Sequence, residues 1–158
     1  MRNTIKMFGL VSVLVLSACG GSKSGDELGK FTGTWRATAG TVTSICPGYG
    51  TVTDALTGNT VWSAGVSSDL VSIGALTSCP LTADVEGSTA SGAPGQACTQ
   101  SDGAGGTSTV TVNGYTFVVS ADGRTATENA SGQITFIAGG ATLVCTFNET
   151  GSYEKIGK

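Results

Sequence analysis

From residue 31 onward, apolar and polar positions alternate over short stretches, and clusters of glycine and other turn residues interrupt them. A period of two predicts strands, because successive side chains on a strand face opposite sides of a sheet. β-Branched residues fill "GTWRATAGTVTSI" (33–45), which runs into the turn cluster Cys46-Pro47-Gly48. "YGTVTDAL" (49–56) and "TVWSAGV" (60–66) follow, separated by Thr57-Gly58-Asn59. "DLVSIGAL" (69–76) is more uniformly apolar, as expected of a strand covered on both faces or of a short helix. "LTADVE" (81–86) alternates cleanly, with Leu81, Ala83 and Val85 directed to a core and Thr82, Asp84 and Glu86 to water.

Residues 87–106, "GSTASGAPGQACTQSDGAGG", break the rhythm and read as a long loop stapled to the body by Cys98. Beyond it, "TSTVTV", Asn113-Gly114 and "YTFVVS" form a hairpin pattern with a type I′ turn. Asp122-Gly123, Ser131-Gly132 and Gly139-Gly140 then punctuate "RTATEN", "QITFIA" and "ATLVCTFNET". Turns recurring at roughly 8–12 residues indicate a meander of antiparallel strands. The expected fold is all-β: a small antiparallel up-and-down barrel of about eight strands, closed so that no edge is exposed. A two-sheet β-sandwich is the alternative.

The amino-terminal pattern is different. Arg2 and Lys6 precede an uninterrupted apolar-rich run, Met7 to Leu16. As a helix that run would span about 15 Å, roughly half of a ~30 Å bilayer core, so it fits a secretory signal and not a membrane span. The run ends in Leu16-Ser17-Ala18-Cys19, which resembles the lipobox of bacterial lipoproteins. That resemblance implies cleavage after residue 18 and a diacylglyceryl thioether on Cys19. Two or three acyl chains anchor a protein stably, whereas one anchors it marginally. Residues 19–30, rich in Gly, Ser and charge, read as a flexible tether, leaving 31–158 as the folded domain. Gly20 in place of an aspartate after the lipidated cysteine implies, by the same resemblance, the outer membrane.

The domain opens with Phe31-Thr32-Gly33-Thr34-Trp35. Gly33-Thr34-Trp35 is similar to the Gly-x-Trp on the first strand of lipocalins, avidins and lipocalin-like protease-inhibitor lipoproteins. The resemblance implies a barrel with the tryptophan plugging one end. The later Thr-Asp-x-Tyr of lipocalins has no counterpart, because Thr53-Asp54 is followed by Ala55-Leu56.

Composition narrows the function. Eleven Asp+Glu against eight Lys+Arg give a formal charge of −3, and the absence of a basic cluster argues against a nucleic-acid partner. Removing residues 1–18 leaves about 140 residues, enough for one domain with a core. Besides Cys19, the chain has Cys46, Cys79, Cys98 and Cys145. An even number in an oxidising compartment reads as two disulfides. Sequence proximity favours Cys46–Cys79 with Cys98–Cys145. No Cys-x-x-Cys pair and no histidine suggest a metal site.

The missing histidine also removes the usual general base and the common catalytic triads. No nucleophile elbow or phosphate-binding loop occurs, and no spacing brings two carboxylates together. The expectation is a protein without catalytic residues or cofactor, held to the membrane by a lipid. Its role would be structural or the binding of an envelope protein. A carrier of a small apolar ligand and a periplasmic inhibitor of a hydrolase are the alternatives.

Overall fold

The computed structural model describes residues 25–65, 70–73 and 80–158. The leader, the lipobox with Cys19, and Cys79 therefore lie outside the described residues. A short helix, α1 (Gly25–Phe31), precedes β1 (Gly33–Cys46), β2 (Gly50–Ala55), β3 (Asn59–Ala64), β4 (Leu70–Ile73) and β5 (Pro80–Glu86). Then come β6 (Thr89–Gly92), β7 (Gln96–Ser101), β8 (Thr107–Val119), β9 (Thr125–Ala138) and β10 (Ala141–Gly157). The all-β antiparallel architecture is the one expected.

The sheet runs β10-β9-β8-β6-β5-β4-β3-β1, and β1 also pairs with β10. At one end of the molecule these eight strands encircle a core. The other end is open. There β1 exchanges β3 for β2: residues 33–36 pair with β3, and residues 41–46 pair with β2. β8 does the same, pairing with β6 over 115–118 and with β7 over 107–112. The upper half is thus a trough of β2-β1-β10-β9-β8-β7, with β2 and β7 as its outermost strands among the described residues. The sheet is barrel-like at the bottom and unclosed at the top.

Several turns expected from sequence lie inside strands. Asn113-Gly114 is a bulge within β8, not a hairpin; the register against β9 shifts between Val112 and Gly114. Ser131-Gly132 sits in the middle of β9. Glycine is needed at 132 for close approach: a Cβ there would stand 2.0 Å from the Thr111 carbonyl oxygen and 2.8 Å from Phe147. Five short strands are therefore three long ones of 13, 14 and 17 residues. The long loop of 87–106 is also a correction. Its alternation is hidden because small residues carry it, yet it holds β6 and β7, and Ala90 is fully buried. "DLVSIGAL" contributes a strand, β4, and "LTADVE" turns Ala83 and Val85 inward as expected.

Gln96 closes the seam where β6 hands over to β7. Its side-chain Oε1 accepts from the Thr82 backbone N–H at 2.8 Å, and its Nε2 donates to the Thr82 carbonyl at 2.8 Å. The amide stands in for a missing strand residue, satisfying backbone groups that β5 would otherwise leave unpaired.

The core fills the closed end. Trp35 and Trp62 pack on Phe117, with ring centroids 5.3 and 5.5 Å away, in edge-on and tilted geometry. Residues 25–30, expected to be tether, are part of this plug. Helix α1 presses Phe31 into the core at 0% exposure, with Leu28 packed beside it. Trp35 Nε1 donates to the Phe31 carbonyl at 2.7 Å. From β10, Lys155 Nζ donates to the Lys30 carbonyl at 2.9 Å and lies 5.2 Å over the Trp35 ring. A cation at the carbonyl end of a helix and over an aromatic face is favourable on both counts.

The disulfide pairing differs from the expectation. Cys46 is bonded to Cys145, 99 residues away, which rules out both Cys46–Cys79 and Cys98–Cys145. Proximity in sequence misleads because β1 and β10 are neighbours: Ile45 stands opposite Thr146, so Cys46 faces Cys145 across the ladder. Cys98 is also disulfide-bonded.

Candidate functional site

Above the aromatic core the trough encloses a cavity of about 330 Å³. Its walls are apolar: Val42 from β1, Val110 and Val112 from β8, Ile134 from β9 and Phe147 from β10. Leu56 and Leu81 close the side where the trough has no long strand. Its floor is polar, formed by Glu128, Glu149, Tyr115, Tyr153 and Thr60, with Asp54 on the β2 side.

Strand alternation builds this floor. On β10, Cys145, Phe147, Glu149, Gly151 and Tyr153 share the inner face, and all are buried. On β9, Ala126, Glu128, Ala130, Gly132 and Ile134 share the inner face, with Ala130 and Ile134 partly buried and the rest buried. Glu128 stands opposite Gly151, and Glu149 opposite Ala130. The two glutamates are therefore diagonal neighbours on one face, roughly 7–8 Å apart at the backbone. Gly151, facing Glu128, lets the Leu56 and Tyr153 side chains pack down onto the strand. A Cβ there would meet Leu56 at 2.6 Å and Tyr153 at 2.8 Å.

Both carboxyls are removed from water, with exposures of 7% for Glu128 and 8% for Glu149. Burial pushes Glu128 above the ordinary carboxylate range, and hydrogen bonds from the Tyr115 and Tyr153 hydroxyls pull it partly back. Burial, and then the charge of Glu128, push Glu149 up to about 7. Burial in turn raises both phenols, so they remain donors. Two close carboxylates in a low-dielectric site cannot both ionise freely, and one holds its proton. Glu128 Oε2 is fully buried and has no hydrogen-bond partner among the described residues.

The expectation that no two carboxylates come together is thus overturned. The signal was present: in "CTFNETGSY" and "ATENASGQI" each glutamate occupies a position with the parity of the apolar residues. Of the cysteines singled out in the sequence, Cys46 and Cys145 staple the trough at its open end. No group of three or more His, Cys, Asp or Glu side chains that could hold a metal occurs among the described residues. The open rim carries exposed Tyr49, Val52, Phe136 and Ile137.

No protein-family model, curated protein or solved structure matches this chain. The site is therefore read from its own geometry.

Proposed function

We propose that this chain is a lipid-anchored cell-envelope protein whose barrel carries a small, largely apolar ligand without transforming it. The supporting observation is the cavity: an apolar chamber over a polar floor, open at one end of an otherwise packed structure. Its volume falls at the small end of the ~300–1,000 Å³ typical of ligand pockets. At ~30 Å³ per water it holds about ten waters, or a ligand with a comparable number of non-hydrogen atoms. The lipobox resemblance supports the anchor, and the mix of apolar wall with few convergent polar groups supports binding over structural filling.

Native mass spectrometry of the full chain purified from cell envelopes tests this. The expected result is a co-purifying species of defined small mass, lost when Ala130→Trp fills the chamber with an indole. A clean apo mass, unchanged after exposure to an envelope lipid extract, would overturn the reading.

A further inference from the structure

Resting on the carrier reading, we infer that the ligand is an amphiphile with a protonated amine as its head, held between Glu128 and Glu149 while its apolar body lies against the wall of the chamber. Three observations converge. The floor is rich in acceptors: Glu128 and Glu149 line it diagonally across β9 and β10, and Glu128 Oε2 is buried without a partner among the described residues. Among the described residues no lysine or arginine lines the cavity to balance them. The walls around that floor are aliphatic and aromatic.

An unpartnered buried carboxylate oxygen is costly, and the deficit is met by whatever donates to it. An ammonium suits the floor better than the other candidates. It brings up to three N–H donors and one positive charge, enough to bond both glutamate side chains of the floor. A hydroxyl brings one donor and no charge. A carboxylate ligand would add a third negative group. A divalent cation seeks six or more oxygen ligands, and the described residues gather no such set.

The empty and occupied floors differ by a proton. Without ligand, Glu149 shares its surroundings with Glu128 and holds its proton up to about pH 7. An ammonium removes the reason for that proton, which leaves to solvent as the amine enters. The groups facing Glu149 are Glu128 from β9, Tyr115 from β8, Tyr153 from β10 and Asp54 from β2, and none of them is basic. Amine affinity therefore falls as pH drops below about 7, where the incoming cation must displace a proton.

The test is titration calorimetry of the full chain with three probes of one size: hexylamine, hexan-1-ol and hexanoate. At pH 7.5 hexylamine is expected to bind at least tenfold more tightly than hexan-1-ol, with hexanoate giving no heat. At pH 6.5, repeating the hexylamine titration in buffers of different ionisation enthalpy should reveal proton release. Glu149→Gln should narrow the amine-to-alcohol ratio to below about threefold. Glu128→Gln should do the same, and near-UV circular dichroism confirms that both variants are folded. Hexan-1-ol binding as tightly as hexylamine would overturn the amine head and leave the carrier reading standing. Calcium heat that Glu149→Gln abolishes, without any from hexylamine, would also overturn it, in favour of a metal. If none of the three probes binds, the chamber does not take ligands and both readings fall.

Discussion

Glu128 and Glu149 face the same chamber from adjacent strands, each buried and each one diagonal step from the other. The arrangement makes stability depend on pH in an unusual direction. Glu149 titrates near its ordinary 4.5 when the chain is unfolded and near 7 when it is folded. Between those values the folded state binds more protons, so the ligand-free protein loses stability as pH rises from about 4.5 to about 7. Glu149→Gln removes this loss and is expected to stabilise the protein at pH 8 by about 1–3 kcal/mol. Urea midpoints at pH 5 and pH 8 for both proteins check it. A wild type more stable at pH 8 would refute the assignment.

The Cys46–Cys145 bond closes a loop of 99 residues. Cross-linking over such a span constrains the unfolded chain strongly, and Cys145→Ser should cost about 2–5 kcal/mol. Denaturation of wild type and variant, with and without reductant, separates the contribution: reductant should lower the wild type toward the variant.

At Gly132, β9 passes close to the β8 backbone. A methyl group there meets the Thr111 carbonyl oxygen, part of the backbone and unable to swing away. Gly132→Ala is expected to destabilise by about 1–3 kcal/mol through overpacking. Gly123→Ala serves as the comparison, since it meets nothing within 4 Å and carries only the strain of its φ of 69°. Thermal melts of the two variants should differ, with Gly132→Ala the lower.

Lys155→Met removes the donor to the α1 carbonyls and the charge over Trp35 while keeping an apolar stem against the ring. The barrel should remain folded and α1 should dock less firmly. Hydrogen exchange at residues 28–32 is the readout, and faster exchange confined to that segment is the expected result. Exchange that rises equally across β8–β10 would mean that Lys155 supports the whole fold.

Strand-forming composition and alternation made the all-β class readable, and "LTADVE" even revealed which face turns inward. Other features followed from contacts that no local pattern encodes. Asn113-Gly114 and Ser131-Gly132 have the composition of turns, but they lie beside each other across β8 and β9, where small residues let two strands approach. β6 and β7 escaped notice because alanine, serine and glutamine carry their alternation. The cysteine pairing could not be found from spacing, since it depends on the first strand meeting the last. The two glutamates were legible in principle: each occupies an inward position in a strand otherwise lined by Ala, Phe, Gly and Tyr. A charged residue at a core parity is the signature of a lined chamber.

The pairing of β1 with β10 also sets an order of events. Synthesis delivers β1 first and β10 last, so one edge of β1 waits while more than half of the chain is made. Closure depends on contacts between residues about as far apart as this domain allows, and such topologies fold slowly. Until residues 141–157 arrive, the edges of β1 and β9 that β10 later covers are bare, each a template for pairing with a second copy. A chain cut short before residue 141 should therefore aggregate rather than persist as a smaller soluble sheet. The last strand protects the first.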